Sequence, residues 1–355
     1  MTALEDRLKA RIAATGPLTL AEYMTDCLLD PRHGYYATRD PLGAGGDFTT
    51  APEISQMFGE LIGLCLAQSW LDQGAPAPFA LAEPGPGRGT MMADIWRATR
   101  GVPGMHAAAQ VHLIEASPTL RAMQRERLQG LPVCWHDSTD ALPDIPLWLV
   151  ANEFFDALPI RQFQRDGAGW RERVVGVRDG ALALGLSDPA PRPELAHRLS
   201  DTLPGDIVET CPAAATVMAA IENQIANHGG AALIIDYGDW RSLGDTFQAL
   251  RKQAFDDPLA HPGNADLTAH VDFEALTRAA PSLTHSALTP QGVLLDRLGI
   301  DARAARLAQN LRGPALEAHR AAYQRLTDTA EMGTLFKALA LVAPGAPLPP
   351  GFDPV

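Results

Sequence analysis

Cysteine is scarce in this 355-residue chain. Cys27, Cys65, Cys134 and Cys211 stand far apart with no C-x-x-C pair, which argues against a disulfide framework and for reduced, mostly buried thiols. Basic residues are outnumbered, 29 against 42 acidic ones for a net charge of −13, so the chain lacks the electrostatic footprint of a nucleic-acid or anionic-lipid binder. A cationic partner suits such a surface. No apolar run approaches the roughly 20 residues that span a bilayer, so membrane insertion is not expected. The first eight residues carry acids and no long apolar core, unlike a secretory signal or transit peptide, and the expected location is cytoplasmic. The ten histidines do not cluster with cysteines or acids at ligand spacing, so no metal site is expected.

What the chain does have is a 46% hydrophobic content, enough for a sizeable core, and one organising stretch. Phe79-Ala80-Leu81-Ala82-Glu83-Pro84-Gly85-Pro86-Gly87-Arg88-Gly89-Thr90 is a short apolar run, a carboxylate and three alternating glycines. Thr90 to Trp96 then reads as a helix. Strand, tight turn and helix in this order bind nucleotides in open α/β sheets, because glycine lets the backbone take φ > 0 or approach a ligand. The dinucleotide fingerprint is G-x-G-x-x-G; here the third glycine comes one position early, at Gly89, giving the G-x-G-x-G of an S-adenosylmethionine (SAM) site and disfavouring an NAD-dependent oxidoreductase. Val111 to Glu115 reads as the next strand, ending in an acid that can accept both hydroxyls of a ribose. The 30 residues from Gly85 to Glu115 exceed the usual spacing of about 20, and the loop Gly101 to Gly104 accounts for the excess.

Glu83 to Thr90, Gly46-Asp47-Phe48-Thr49-Thr50-Ala51-Pro52-Glu53 and Asn152-Glu153-Phe154-Phe155-Asp156-Ala157-Leu158-Pro159 together resemble the MidA-type SAM-dependent methyltransferases. The resemblance runs from about Leu20 to about Ala340. It departs at Pro84, where the family usually has an aliphatic residue. It implies a Rossmann-like class I methyltransferase core with a seven-stranded, mostly parallel sheet, an N-terminal helical region and an inserted β-hairpin. Mitochondrial members are complex I assembly factors that dimethylate an arginine of the 49-kDa subunit, so the resemblance implies a protein substrate of that kind. Alternatives are a catalytically silent assembly chaperone with this fold, or methyl transfer to another protein site or a small molecule.

Leu4, Leu8 and Ile12 mark one helix face stopped by Gly16-Pro17, and Thr19 with Glu22 forms a capping box for a second helix. Another capping box, Thr50 with Glu53, precedes a helix from Pro52 with a broad apolar stripe; Asp47, Thr50 and the amides there are candidates for the cofactor's methionine end. Val133 to Ser138 reads as the third strand and its exit loop, with Asp137 and Ser138 as candidates for the adenine amino group. Pro146 to Ala151 is a buried-type strand ending on Asn152-Glu153. Methyl transfer is an in-line displacement that mainly needs alignment. Because arginine's guanidinium is protonated and delocalised, carboxylates gripping two of its nitrogens would present the third. Glu153, helped by Asp156, is therefore expected to grip the substrate, with Asn152 shaping the cofactor pocket. Glu83, Gly85, Gly87, Gly89 and Glu115 complete the expected cofactor set.

Arg161 to Leu186 reads as a β-hairpin insertion, a candidate surface for substrate or a homodimer. Ala231 to Gly238 repeats the strand-then-polar pattern and should be the fifth parallel strand. Asp272 suits an N-cap for the helix from Phe273, a role preferred over catalysis for it and His270. Glu331 to Val342 should give a closing edge strand. The expected regions are 1–74 (helical), 75–160 (first part of the core), 161–205 (hairpin), 206–342 (second part of the core) and 343–355 (a loose, proline-rich tail).

Overall fold

The computed structural model describes residues 2–38, 49–167 and 169–355. Asp47 lies outside the described residues. Two compact units form, each from three stretches of chain: the described part of 1–48 with 156–215 and 239–275, and 49–155 with 216–238 and 276–355.

The larger unit is built on a sheet whose continuous path joins seven strands. Phe79–Pro84 (β1), Ala109–Ile114 (β2), Val133–His136 (β3), Leu147–Asn152 (β4), Gly230–Asp239 (β5), Thr284–His285 (β6) and Phe336–Val342 (β7) lie in the order β6-β7-β5-β4-β1-β2-β3. Neighbours from β3 to β5 are parallel, and β7 runs antiparallel to β5 and β6. Every residue of β1 and β4 is buried, as expected for continuous apolar runs covered on both faces. The sheet nevertheless exceeds seven strands, because Thr289–Pro290 pairs with β7 off this path. For the same reason β7 is not the closing edge: β6 lies outside it, and its strand begins at Phe336 after a short helix, Met332–Leu335.

The helix expected to run on from Pro52 is two helices. Ala51–Ile54 (α1) stops at Ser55, whose backbone is extended and whose Oγ accepts from the Met57 amide to cap Gln56–Asp72 (α2). Thr50 makes no side-chain cap. The core between α2 and the sheet sets Trp70 against Phe79 with the rings tilted by 32° and Phe79 edge-on to Trp148, with ring centroids 5.4 and 5.3 Å apart. The proline-rich tail is not loose: Phe352 is buried, Asp353 pairs with Arg297 at 2.7 Å, and its carbonyl accepts from the Ala287 amide.

In the smaller unit, the Leu4, Leu8 and Ile12 face is buried and the Thr19–Glu22 capping box is complete. The expected hairpin is a three-strand meander, Arg161–Asp166, Gly169–Arg178 and Ala181–Leu186, inside a five-stranded sheet that Leu18–Thr19 and Ile207–Thr210 complete. A separate three-stranded sheet joins Ala254–Asp256, Gln248–Arg251 and Asp266–Thr268. The four cysteines are free, with Cys27 and Cys65 buried and Cys134 exposed.

At the start of β5, Gly230 has φ +118°, and a Cβ there would fall 1.8 Å from the Leu147 carbonyl oxygen of β4. Gly230→Ala must push these central strands apart or change the backbone. It is expected to lower stability by at least about 2 kcal/mol in urea denaturation; an unchanged midpoint would contradict the close approach.

Candidate active site

In the larger unit the strand order reverses between β1 and β4, and ligands of open α/β sheets sit at the carboxyl ends of the strands flanking such a point. Beyond β1 the chain turns through Gly85, Gly87 and Gly89, with φ values of 62°, 53° and 76°. These left-handed conformations explain the alternation of glycines. The Gly85 amide donates to the Ile114 carbonyl, the Gly89 amide to that of Pro86, and Gly89 is the N-cap residue of Thr90–Ala98 (α3). Pro84 sits at the last position of β1, where the turn forms around it without loss of these contacts.

Glu83 is buried with its Oε2 atom unpartnered, and burial, partly offset by the Met92 backbone amide, pushes its carboxyl up to about 8. Asn152, at the end of β4, has an unpartnered buried Oδ1. Its Nδ2 donates to Glu153 Oε1 at 2.9 Å, and the Ala51 amide donates to the same oxygen at 2.9 Å. Glu153 thus holds the start of α1, and does so from a left-handed backbone, φ 50°, rare for a residue with a side chain. Phe154 lies against the turn, 2.8 Å from where a Gly85 Cβ would stand, while Phe155 is buried and donates its amide to Asp236.

Glu115 is buried beyond β2. Its Oε1 accepts from the Ser117 amide at 2.8 Å and its Oε2 from Gln124 Nε2 at 3.2 Å; burial still raises its carboxyl. Gln124, on Pro118–Arg127 (α4), is not among the site residues that the sequence points to, yet it joins Glu115, the glycine turn and Trp135. Its Nε2 also donates to the Gly87 carbonyl at 2.7 Å, and its Oε1 accepts from Trp135 Nε1 at 2.8 Å. The signal was a polar residue on an apolar stripe between Leu120 and Leu128. Glu53 is the other omission: Thr90 donates to it, and Arg88 lies 3.8 Å away. With its carboxylate on the glycine turn, Glu53 does not complete a capping box with Thr50.

The remaining candidates differ in their surroundings. Asp137 and Ser138 are exposed, and Asp137 accepts from Arg121, which also donates to the Glu115 and His136 carbonyls. Asp156 belongs to the smaller unit. There Asp272 accepts from the Ala275 and Ser242 amides, so it caps its helix as expected, and the His270 amide donates to Thr246. Among the described residues no group of three or more His, Cys, Asp or Glu could hold a metal ion, and no helix is long and apolar enough to cross a membrane.

Residues 61–291 match the family of S-adenosyl-L-methionine-dependent methyltransferases. The chain belongs to this family. Among curated relatives, the mitochondrial protein arginine methyltransferase NDUFAF7 of Xenopus tropicalis is 36% identical over 369 residues, covering 96% of this chain and 86% of the relative. The human protein of that name is 35% identical over 372 residues, covering 96% and 84%. A crystal structure from Burkholderia thailandensis bound to S-adenosyl-homocysteine superimposes with a TM-score of 0.85 at 31% identity, covering 98% of this chain and 94% of that one. The Rossmann-like methyltransferase fold and the SAM cofactor follow.

The residues present fit that cofactor. Two buried acceptors without donors, Glu83 Oε2 and Asn152 Oδ1, end neighbouring strands, and the methyltransferase's glycine turn carries no Cβ where it bends. Glu83, with an ordinary value of 4.5, keeps its proton in the folded state to about pH 8. The native state therefore binds more protons than the unfolded chain between these values, and its stability falls as pH rises through that interval. The stability gained by Glu83→Gln should grow from about pH 5 to about pH 9 and then level off, as read by urea denaturation across pH. A pH-independent gain would mean that Glu83 ionises normally.

Proposed function

We propose that this methyltransferase transfers its methyl group to an arginine side chain of a protein. The observation that carries the reading is Glu153, a carboxylate fixed by two donors at the carboxyl end of β4, the strand beside the glycine turn. The relatives named protein arginine methyltransferase support it. The family resemblance extends the proposal to the 49-kDa-type subunit of respiratory complex I and to aid in its assembly.

SAM, when bound, supplies a methyl group on a sulfonium. The protein's part is to align and to neutralise. A carboxylate beside the guanidinium fixes its plane through paired N–H···O contacts and favours the cation that remains after one nitrogen gains the methyl and releases its proton to water. The Ala51 and Asn152 contacts keep the Glu153 side chain from reorganising during that step.

Glu153→Gln retains the shape and an acceptor oxygen but removes the charge. Turnover on the recovered protein target, followed by transfer of labelled methyl, should fall by about 100-fold or more. Calorimetric affinity for S-adenosylhomocysteine should be nearly unchanged. A variant as active as the wild type would sink the assignment. Methylarginine in the wild-type product supports the reading, whereas an unmodified partner bound stoichiometrically would favour an assembly chaperone.

A further inference from the structure

The buried stripe of α4 reads Leu120, Gln124 and Leu128 at four-residue spacing, and Gln124 is its least exposed member, at 0%. Packing alone calls for a third apolar side chain there, since a buried amide costs free energy unless its polar atoms find partners. Gln124 finds three. Its Oε1 accepts from Trp135 Nε1 at 2.8 Å, and its Nε2 donates to the Gly87 carbonyl at 2.7 Å and to Glu115 Oε2 at 3.2 Å. An indole N–H only donates and a backbone carbonyl only accepts, so a flipped amide would set donor against donor and acceptor against acceptor. One orientation of the amide remains, and in it an N–H meets the Glu115 carboxylate.

The backbone around Glu115 is anchored without Gln124. Arg121, one turn earlier on α4, donates to the Glu115 carbonyl at 2.6 Å and to the His136 carbonyl at 2.8 Å. The Ser117 amide, at the start of the helix, donates to Glu115 Oε1 at 2.8 Å. What Gln124 adds is a donor on the other carboxylate oxygen, and one donor on each oxygen fixes the plane of the group. The glycine turn packs on the same side chain, since a Cβ at Gly89 would stand 3.5 Å from Gln124 Cγ. The acid after β2, the turn after β1 and Trp135 of β3 thus meet at one amide.

We propose that Gln124 is a positioning residue for the cofactor's ribose, holding the Glu115 carboxylate in the orientation that accepts the ribose hydroxyls and tying it to the glycine turn. This role concerns the cofactor alone and is independent of the methyl acceptor. A ribose presents two neighbouring hydroxyls, and a carboxylate set in advance meets both without the cost of ordering it at the moment of binding. Burial raises the Glu115 carboxyl, and the hydrogen bonds from Ser117 and Gln124 oppose that rise, so the same contact also favours the ionised form that only accepts.

The test is calorimetric titration of the full-length protein with S-adenosylhomocysteine and with its 2′,3′-dideoxy analogue, which lacks both ribose hydroxyls. The wild type should prefer the natural ligand by about 100-fold. Gln124→Met keeps length and helix propensity; it should weaken S-adenosylhomocysteine binding by about tenfold and binding of the analogue by less than about twofold, so that the preference shrinks. In a Glu115→Ala background, with no carboxylate to place, Gln124→Met should leave the preference where Glu115→Ala alone sets it. A wild type without preference, a folded Gln124→Met protein that keeps the full preference, or a further loss of preference in the Glu115→Ala background overturns the proposal. Equal weakening for both ligands would show a merely structural role and overturns it too. Trp135→Phe removes only the donor that fixes the amide's orientation and should cut the preference by about threefold. Should Gln124→Met fail to fold, an unchanged preference in Trp135→Phe overturns the proposal instead.

Discussion

A buried carboxyl with one oxygen unpartnered, Glu83, sets the electrostatic constraint at the carboxyl end of β1 in the larger unit. Burying such a group costs free energy unless a donor reaches it, so it stays protonated or awaits a ligand. Asn152 adds a second unpartnered acceptor on the neighbouring strand. Both belong to strands whose every residue is buried, so neither side chain can swing to water without disturbing the central sheet. A ligand that brings donors relieves both, and its binding energy then adds to the stability of the fold by mass action. Both side chains are thus held in place by the same pairing that forms the core.

That pairing is assembled from distant parts of the chain. Each unit draws on three separate stretches, and the path alternates between them from end to end. Neither unit corresponds to a continuous fragment, and many contacts close only after long loops have formed. Tyr36 reaches Asp266 over 230 residues, and Arg303 reaches Glu60 over 243. Folding of such a topology depends on non-local contacts, which are slow to form and penalised by loop closure until they do. It also explains why the larger unit needs Gly230: β5 arrives from far along the chain and must lie close to β4 with no side chain between them.

The same geometry decides what could be read in advance. The glycine turn, the buried strands and the acids at their ends were legible because each depends on neighbours within a few residues. The Thr19–Glu22 box formed for that reason. Its twin at Thr50 failed because Glu53, though rightly spaced, is claimed by Thr90 37 residues away. Gln124 was visible only as a polar residue on an apolar helix face, and its three partners lie on different elements. Asp137, after β3, accepts from Arg121 sixteen residues earlier, a contact that no local pattern signals. The meander's enlargement into a five-stranded sheet was equally hidden, since Leu18–Thr19 contributes only two residues.

Glu153 shows how backbone and chemistry meet. A left-handed conformation at a residue with a side chain costs about 1 kcal/mol or more and persists only where its surroundings enforce it. Here the enforcement is visible on both sides. The Glu153 amide donates to the Ile235 carbonyl of β5 at 3.0 Å, continuing the parallel ladder one residue past β4, while the carboxylate accepts from the Ala51 amide and from Asn152. Glycine would adopt the same φ with less strain, so backbone convenience does not explain a glutamate at this position. The carboxylate does: it caps the start of α1, and through α1 it is linked to Glu53 and the Thr90 contact on the glycine turn. A negative charge at the end of β4 is therefore mechanically tied to the turn after β1. Under the arginine reading proposed above, that tie would serve the alignment of two bound groups.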